Sequence, residues 1–273
     1  MYNKIVVSLD GSGGAERSIH PAVTMADQLA CPLEFVIVHK PGMDAGQAQD
    51  YLQEVIASNQ PGPALVARVE QGDPGQVISG LVSEEPNTLL CMASTGQARS
   101  GQLLGSVAER VLRRSPSPIL LVGPRVESTA NRFFAHDLVV ATDGSDVSER
   151  IMKAAAEFAG AFAMTPWIVS VSDPKKLVTA AVDAQLETNS ARRHAHLFDT
   201  IPHPEIEWEV LHDAHPDQAL TRFAAERDAG AIAMSTHAHT GLQRLAVGSV
   251  TMSVVHKAHS PVLVVGPGDQ AGS

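Results

Sequence analysis

Two short polar motifs stand where strands or loops lead into predicted helices, and each occurs twice in the 273-residue chain. Asp-Gly-Ser follows an apolar run at Asp10 and again at Asp143, and Gly-Ser precedes a predicted helix at Gly105-Ser106 and Gly248-Ser249. A carboxylate accepts hydrogen bonds from hydroxyls such as those of ribose. A helix start offers unpaired N–H groups and a positive dipole end to a phosphate. These residue types therefore predict a nucleotide-like site in each copy.

Both motifs also have a simpler interpretation. Asp-Gly-Ser is typical of turns, and Gly-Ser commonly precedes a helix. A binding site is favoured because the two motifs recur together, in the same order and at the same topological positions, in both copies.

The chain repeats itself. Asp143 lies 133 residues after Asp10, and Gly248 lies 143 residues after Gly105. The closing segment 117–124 recurs as 260–267, again 143 residues later. The change of offset predicts about ten extra residues in the middle of the second copy. We expect one domain over 1–124, a linker over 125–136 in which Phe133-Phe134 pack against a surface, and a second domain over 137–273.

Continuous apolar runs alternate with helical segments in each copy. Such runs are typical of strands buried on both faces, as in a parallel sheet covered by helices, and right-handed crossovers then give an open, doubly wound sheet. Ligands bind such sheets beyond the carboxyl ends of the strands. The first copy is predicted to contain strands at 4–9, 33–38, 64–70, 88–92 and 118–122 and helices at 14–30, 44–58, 74–84 and 106–114; in the second copy strands are predicted at 137–142, 166–171, 206–211, 231–234 and 261–265.

Composition restricts the partners. A net charge of -10 disfavours nucleic acid, whose phosphate backbone an acidic surface repels. Hydrophobic residues make up 44% of the chain, but no apolar run approaches the ~18 residues of a membrane span. No signal-like segment precedes the first strand, so we expect a cytoplasmic protein. Cys31 and Cys91 are expected to be packing residues, since two distant cysteines make neither a disulfide framework nor a zinc site.

The strand–Asp-Gly-Ser start, the Leu/Val-Gly-Ser-Val segment and the closing Ser-Pro-Ile/Val-Leu-Leu/Val-Val resemble the universal stress protein family over essentially the whole chain, twice. Segment 235–244 is especially similar to the family's loop. The resemblance implies a five-stranded parallel sheet per copy with strand order 3-2-1-4-5. Members that bind ATP carry Gly-x2-Gly-x9-Gly-Ser/Thr in this loop, and other members lack the motif and bind no nucleotide.

Both copies depart from that motif. In the first, Ala93 replaces the leading glycine, Gly96 is kept, and only eight residues separate Gly96 from Gly105. In the second, the spacing is intact, but Ser235 and Ala238 replace both leading glycines. A side chain would strain the backbone wherever the lost glycine has a positive φ, and its Cβ could block the ligand. At least one site is therefore expected to be degenerate.

The resemblance also implies site residues. Asp10 and Asp143 match the family's ribose-binding aspartate, and Val38 and Val171 match the residue whose backbone meets adenine. Ala93, Gly96, Gly105, Ser106 and Val107 match the first phosphate loop; Ser235, Ala238, Gly248, Ser249 and Val250 match the second. The expected ligand is ATP or another adenine nucleotide, with or without Mg²⁺. Family members often pair through their last strands, so we expect strands 118–122 and 261–265 to pair about a pseudo-twofold axis within one chain. Association of two whole chains into a homodimer is an alternative that the sequence does not decide.

Ten of the twelve histidines lie from His136 onward, but their spacing favours loop or surface positions over a metal site. His237 lies in the second phosphate loop. Basic residues flank a long polar helix predicted in the inserted region, which is either a solvated face or a partner surface. The sequence contains no P-loop, Ser-His-Asp order, metalloprotease helix or redox cysteine pair. The leading hypothesis is a nucleotide-binding sensor or regulator; the alternatives are a member that acts through protein contacts without nucleotide, and a slow ATPase.

Overall fold

We describe a computed structural model of the chain. It describes residues 2–39, 44–59, 62–95, 104–127, 133–145, 149–175, 198, 206–236 and 248–266. The predicted inserted helix, Gly96, Ala238 and His237 lie outside these residues. The first half of the chain contains β1 (Lys4–Leu9), α1 (Gly13–Glu16), α2 (Ile19–Leu29), β2 (Leu33–His39), α3 (Ala45–Ser58), β3 (Leu65–Gln71), α4 (Pro74–Glu84), β4 (Thr88–Ala93), α5 (Ser106–Arg114) and β5 (Ile119–Val122). The second half contains β6 (Asp137–Ala141), α6 (Glu149–Phe162), β7 (Thr165–Ser172), β8 (Glu207–His212), α7 (Pro216–Glu226), β9 (Ala231–Ser235), α8 (Ser249–Lys257) and β10 (Val262–Val265).

The described strands form one ten-stranded sheet in the order β3-β2-β1-β4-β5-β10-β9-β6-β7-β8. Each half is parallel and has the order 3-2-1-4-5 within itself, as the sequence analysis predicted. The halves meet where β5 pairs antiparallel with β10, with Leu120 opposite Leu263. The predicted pairing of the two last strands is therefore confirmed, and it joins the two expected sheets into a single one.

Helices cover both faces of the sheet. Neighbouring strand residues point to opposite faces, so Ile5 and Val7 belong to one buried cluster and Val6 to the other. The first cluster is closed by α2, α3 and α6, and the second by α4, α5, α7 and α8. This is the doubly wound arrangement that the apolar runs predicted. Both cysteines are buried, as expected.

The single helix predicted over 14–30 is wrong: the segment forms two helices, α1 and α2. Pro21 explains the break, because in one continuous helix it would have no N–H to donate to the Arg17 carbonyl and its ring would clash with that carbonyl. Proline is tolerated in the first turn of a helix, so the chain ends α1 and starts again at Ile19. At the break, the Ser18 hydroxyl donates a hydrogen bond to the Ala15 carbonyl, with 2.7 Å between the two oxygens.

Phe133 and Phe134, within the segment expected to link the two copies, are buried. The Phe133 ring lies edge-on to His20 of α2, with 5.7 Å between centroids. The Phe134 ring packs against the rings of Phe158 and Phe162 of α6, with 5.8 and 5.1 Å between ring centroids. These two aromatic side chains therefore tie α2 of the first half to α6 of the second. Of the helices in the described residues, none is long and apolar enough to span a membrane.

Candidate functional site

Each half contains the same Asp-Gly-Ser turn after its first strand. Asp10 Oδ1 accepts hydrogen bonds from Ser12 N at 3.0 Å and Ser12 Oγ at 2.5 Å. Asp143 Oδ1 accepts from Ser145 N at 3.0 Å and Ser145 Oγ at 2.6 Å. The turn interpretation of the motif is therefore correct in both halves. It also fixes each aspartate at the carboxyl end of its strand, where the sheet would bind a ligand.

The second motif begins α5 and α8. Gly105 and Gly248 are the N-caps, and neither has a side chain to satisfy the first-turn amides. Ser106 and Ser249 open the two helices, and both are exposed. Gly105 N also donates to the Ser94 carbonyl at 2.7 Å, which holds the start of α5 against the end of β4. A phosphate at either start would meet unpaired amides and the positive end of the helix dipole.

Ala93 and Ser235 are the last residues of β4 and β9, and both are buried. Neither has a positive φ. All non-glycine residues with a positive φ in the described chain are at other positions. Replacement of the family's leading glycine therefore does not strain the backbone at these two positions. The added Cβ therefore opposes a bound ligand at these positions only through the space that it fills.

Strand order brings the predicted residues of each half together at the carboxyl ends of neighbouring strands. β1 lies between β2 and β4, with Ser8 opposite Val36 on one side and Met92 on the other. Asp10 therefore stands between the end of β2, where Val38 is half-buried, and the end of β4. In the second half, β6 lies between β7, which carries the half-buried Val171, and β9, and Asp143 stands between their ends. Val107 and Val250 are half-buried in the first turns of α5 and α8.

Sequence reasoning missed a contact beside Asp10. The Tyr51 hydroxyl of α3 donates to Glu16 Oε1 of α1 at 2.8 Å, across 35 positions of sequence. Burial, helped by the carboxylates of Glu16 and Asp10, raises the pKa of the Tyr51 phenol. The end of β1 in the first half thus has two carboxylates and a phenol near it. No spacing in the sequence indicates this, because the contact depends on how α3 packs.

A family model described as "Universal stress protein family" matches residues 1–123 and again residues 135–266. The chain belongs to the universal stress protein family. As a universal stress protein, it is 32% identical to one from Methanocaldococcus jannaschii over 136 residues, which cover 47% of this chain and 80% of that protein.

A longer match is with a universal stress protein of Mycobacterium tuberculosis, at 28% identity over 189 residues, or 67% of this chain and 63% of the mycobacterial protein. The chain thus spans less than two thirds of that relative. Among solved structures, a universal stress protein from Archaeoglobus fulgidus superposes with a TM-score of 0.67 at 18% identity, over 97% of this chain and 99% of that one. At that identity the likeness concerns the fold.

Proposed function

We propose that this universal stress protein is a cytoplasmic sensor or regulator that binds ATP or another adenine nucleotide in at least one half. The observation that carries the proposal is the pairing of an aspartate with a glycine-capped helix start at neighbouring strand ends, found once in each half. The aspartate would receive the ribose hydroxyls, and the helix start would receive the phosphates, with which Mg²⁺ would enter.

The backbone supports this proposal where the sequence raised doubt. Ala93 and Ser235 lie within their strands and neither has a positive φ, so the side chains that replace the family's glycine cause no backbone strain there. The end of the second strand, which would meet adenine through its backbone, lies beside the aspartate in both halves.

Nucleotide binding is tested by thermal unfolding of the intact chain with ATP, ADP or AMP, with GTP and inorganic triphosphate as controls. A ligand present at 100 times its Kd adds about 2.7 kcal/mol to the free energy of unfolding, which raises Tm by several degrees. We expect the adenine nucleotides to raise Tm and Asp10→Ala with Asp143→Ala to abolish the increase. An unchanged Tm and no binding in equilibrium dialysis at millimolar nucleotide would refute the proposal for both halves.

A second candidate function is a regulator that binds no nucleotide and acts through protein contacts. The buried Cβ atoms of Ala93 and Ser235, at the strand ends where the family has glycine, favour it. The same unfolding series separates the two candidates. If this candidate is correct, the parent chain gives no increase in Tm, whereas the chain with Ser235→Gly and Ala238→Gly gains one.

A further inference from the structure

The hydroxyl of Ser94 is buried and has no hydrogen-bond partner in the part of the chain that the structure describes. Ser94 directly follows β4, and its exposed fraction is 0%. Its main chain is fully engaged: the N–H donates to the Val122 carbonyl at 2.9 Å, and the carbonyl accepts from Gly105 N at 2.7 Å. Buried hydroxyls are nearly always paired, and each exception calls for an explanation such as a ligand.

The position of Ser94 suggests what that ligand is. Side chains alternate along a strand, so Ser94 lies on the same face as Met92, which packs in the cluster closed by α4 and α5. The contact with Gly105, the N-cap of α5, places the Ser94 backbone directly at the start of this nine-residue helix. A hydroxyl on this face lies on the side of the sheet that α5 covers. Donors gathered there suit an oxyanion such as a phosphate oxygen.

At the matching position of the second half, the hydroxyl already has a backbone partner. Thr236 occupies the matching position after β9, with its N–H on the Val265 carbonyl at 2.9 Å, and its Oγ1 contacts the same carbonyl at 3.4 Å. Thr251, in the first turn of α8, donates its hydroxyl to the Ser235 carbonyl at 3.0 Å. The hydroxyls of Thr236 and Thr251 are therefore bonded to backbone carbonyls, whereas that of Ser94 has no partner among the described residues.

The acidic residue in the first turn of α5 does not oppose a phosphate strongly. Glu109 forms an ion pair with Arg113 one turn later, with 2.5 Å between Oε1 and Nη2. Its negative charge is therefore largely balanced on its own helix, so the amides of the first turn keep their attraction for an anion.

We propose that Ser94 Oγ donates a hydrogen bond to a phosphate oxygen of the nucleotide in the first half, and that the second half holds its phosphate without such a donor. This inference rests on the proposed function. A charge-assisted hydrogen bond of this kind changes affinity about tenfold. Because the hydroxyl is buried, a phosphate reaches it by displacing the atoms that cover it.

The test compares Ser94→Ala with Thr236→Val, which removes the matching hydroxyl of the second half while keeping its shape. Calorimetric titration of the intact chain with ATP, AMP and adenosine gives the affinities. We expect Ser94→Ala to weaken ATP and AMP about tenfold and to leave adenosine unchanged, since adenosine has no phosphate. We expect Thr236→Val to leave all three affinities unchanged.

Nucleotide-free stability separates a ligand contact from a structural role. Removing an unpaired hydroxyl should leave the Tm of Ser94→Ala equal to or above that of the parent. A lower Tm, an equal loss of ATP and adenosine binding, or unchanged AMP binding would each overturn the inference. A parent chain that binds ATP while Ser94→Ala binds it equally well refutes this inference alone; a parent that binds no nucleotide refutes the proposed function as well.

Discussion

The glycines of the two Asp-Gly-Ser turns have nearly the same backbone, with φ of +76° at Gly11 and +75° at Gly144. A positive φ is costly for any residue with a Cβ, by about 1–2 kcal/mol. The turn lets Ser12 N and Ser145 N reach the aspartate carboxylates. At these positions the glycine is therefore needed for conformation, and the position of each aspartate depends on it.

Replacing Gly11 by alanine should reduce the free energy of unfolding by about 1 kcal/mol, because of backbone strain alone. No atom lies within 4 Å of the added Cβ, so there is no steric contribution. The matched control is Gly13→Ala, two residues later, which is equally unobstructed and has no positive φ. We expect it to be neutral or slightly stabilising in urea unfolding. Equal losses in the two variants would contradict the conformational explanation.

At the residue scale, the sequence predicted only those site residues whose type and position along the chain were enough to identify them. Asp10, Gly105 and their repeats were found because each stands at a strand end or helix start that the apolar pattern already located. Ser94 and Tyr51 carry no such mark in the sequence. The first becomes notable because its hydroxyl lacks a partner among the described residues, and the second because α3 packs beside α1.

At the scale of elements, equivalent helix pairs of the two halves are joined by different polar contacts. α4 and α5 are linked by Asp73 and Arg110, whereas α7 and α8 are linked by Asp217, which contacts Lys257 Nζ at 2.5 Å and Ser253 Oγ at 2.6 Å. The apolar spacing predicted the helices because it alone determines which face is buried. Their polar contacts depend on side-chain geometry across two helices, so the repeat did not predict them.

A second polar contact reverses its charges between the halves. The first half pairs Lys4 of β1 with Glu85, which follows α4, at 2.5 Å. The second half pairs Asp137 of β6 with Arg227, which follows α7, at 2.9 Å. Each pair therefore joins a first strand to the end of the helix before the fourth strand. Both halves thus have opposite charges at this contact, with the basic residue on the strand in the first half and on the segment after the helix in the second.

The contact at Asp217 should make stability depend on pH. Burial opposes ionisation, but the bonds from Lys257 and Ser253 outweigh it and hold the pKa of the Asp217 carboxyl below its ordinary value. The folded pKa is depressed, so the contribution is present above the unfolded pKa of about 4 and is lost as the pH falls through the lower folded value. We expect Asp217→Asn to reduce the free energy of unfolding by about 1 kcal/mol at pH 7.

Urea unfolding of the parent and of Asp217→Asn at pH 7 and pH 3 checks this dependence. The difference between the two chains should shrink at the lower pH, because the parent carboxyl then begins to be protonated. Asp50→Asn, an exposed position on α3, is the control and should show no difference at either pH. A difference that stays constant from pH 7 down to pH 3 would show that the charge of Asp217 contributes nothing.

At the scale of the whole molecule, the antiparallel pairing of β5 with β10 makes the strands of the two halves run in opposite directions, so the two candidate sites lie at opposite ends of the strands. It also uses, within one chain, the strand edges through which two separate domains would pair. The repeat and the resemblance predicted this arrangement. They did not predict how closely the halves approach, because Gly123-Pro124 and Gly266-Pro267 look like ordinary turn signals in the sequence.

The two glycines lie where the end of one half meets the last helix of the other. A Cβ at Gly123 would lie 1.9 Å from the Val255 carbonyl oxygen of α8, and a Cβ at Gly266 would lie 2.0 Å from the Leu112 carbonyl oxygen of α5. Both obstacles are backbone atoms of packed helices, so a rotamer change cannot relieve them. The contact is reciprocal, as the pseudo-twofold requires.

Gly123→Ala and Gly266→Ala should therefore each reduce the free energy of unfolding by about 3 kcal/mol, as α8 or α5 is pushed away from the opposite half. Gly80→Ala, within α4 where no atom lies within 4 Å of the new Cβ, is the matched control and should raise stability by up to about 1 kcal/mol. Equilibrium unfolding in urea measures all three. If Gly123→Ala and Gly266→Ala were as stable as the parent, the halves could not approach as closely as β5 and β10 require, because the same strand pairing that joins the sheet also brings each glycine against its carbonyl.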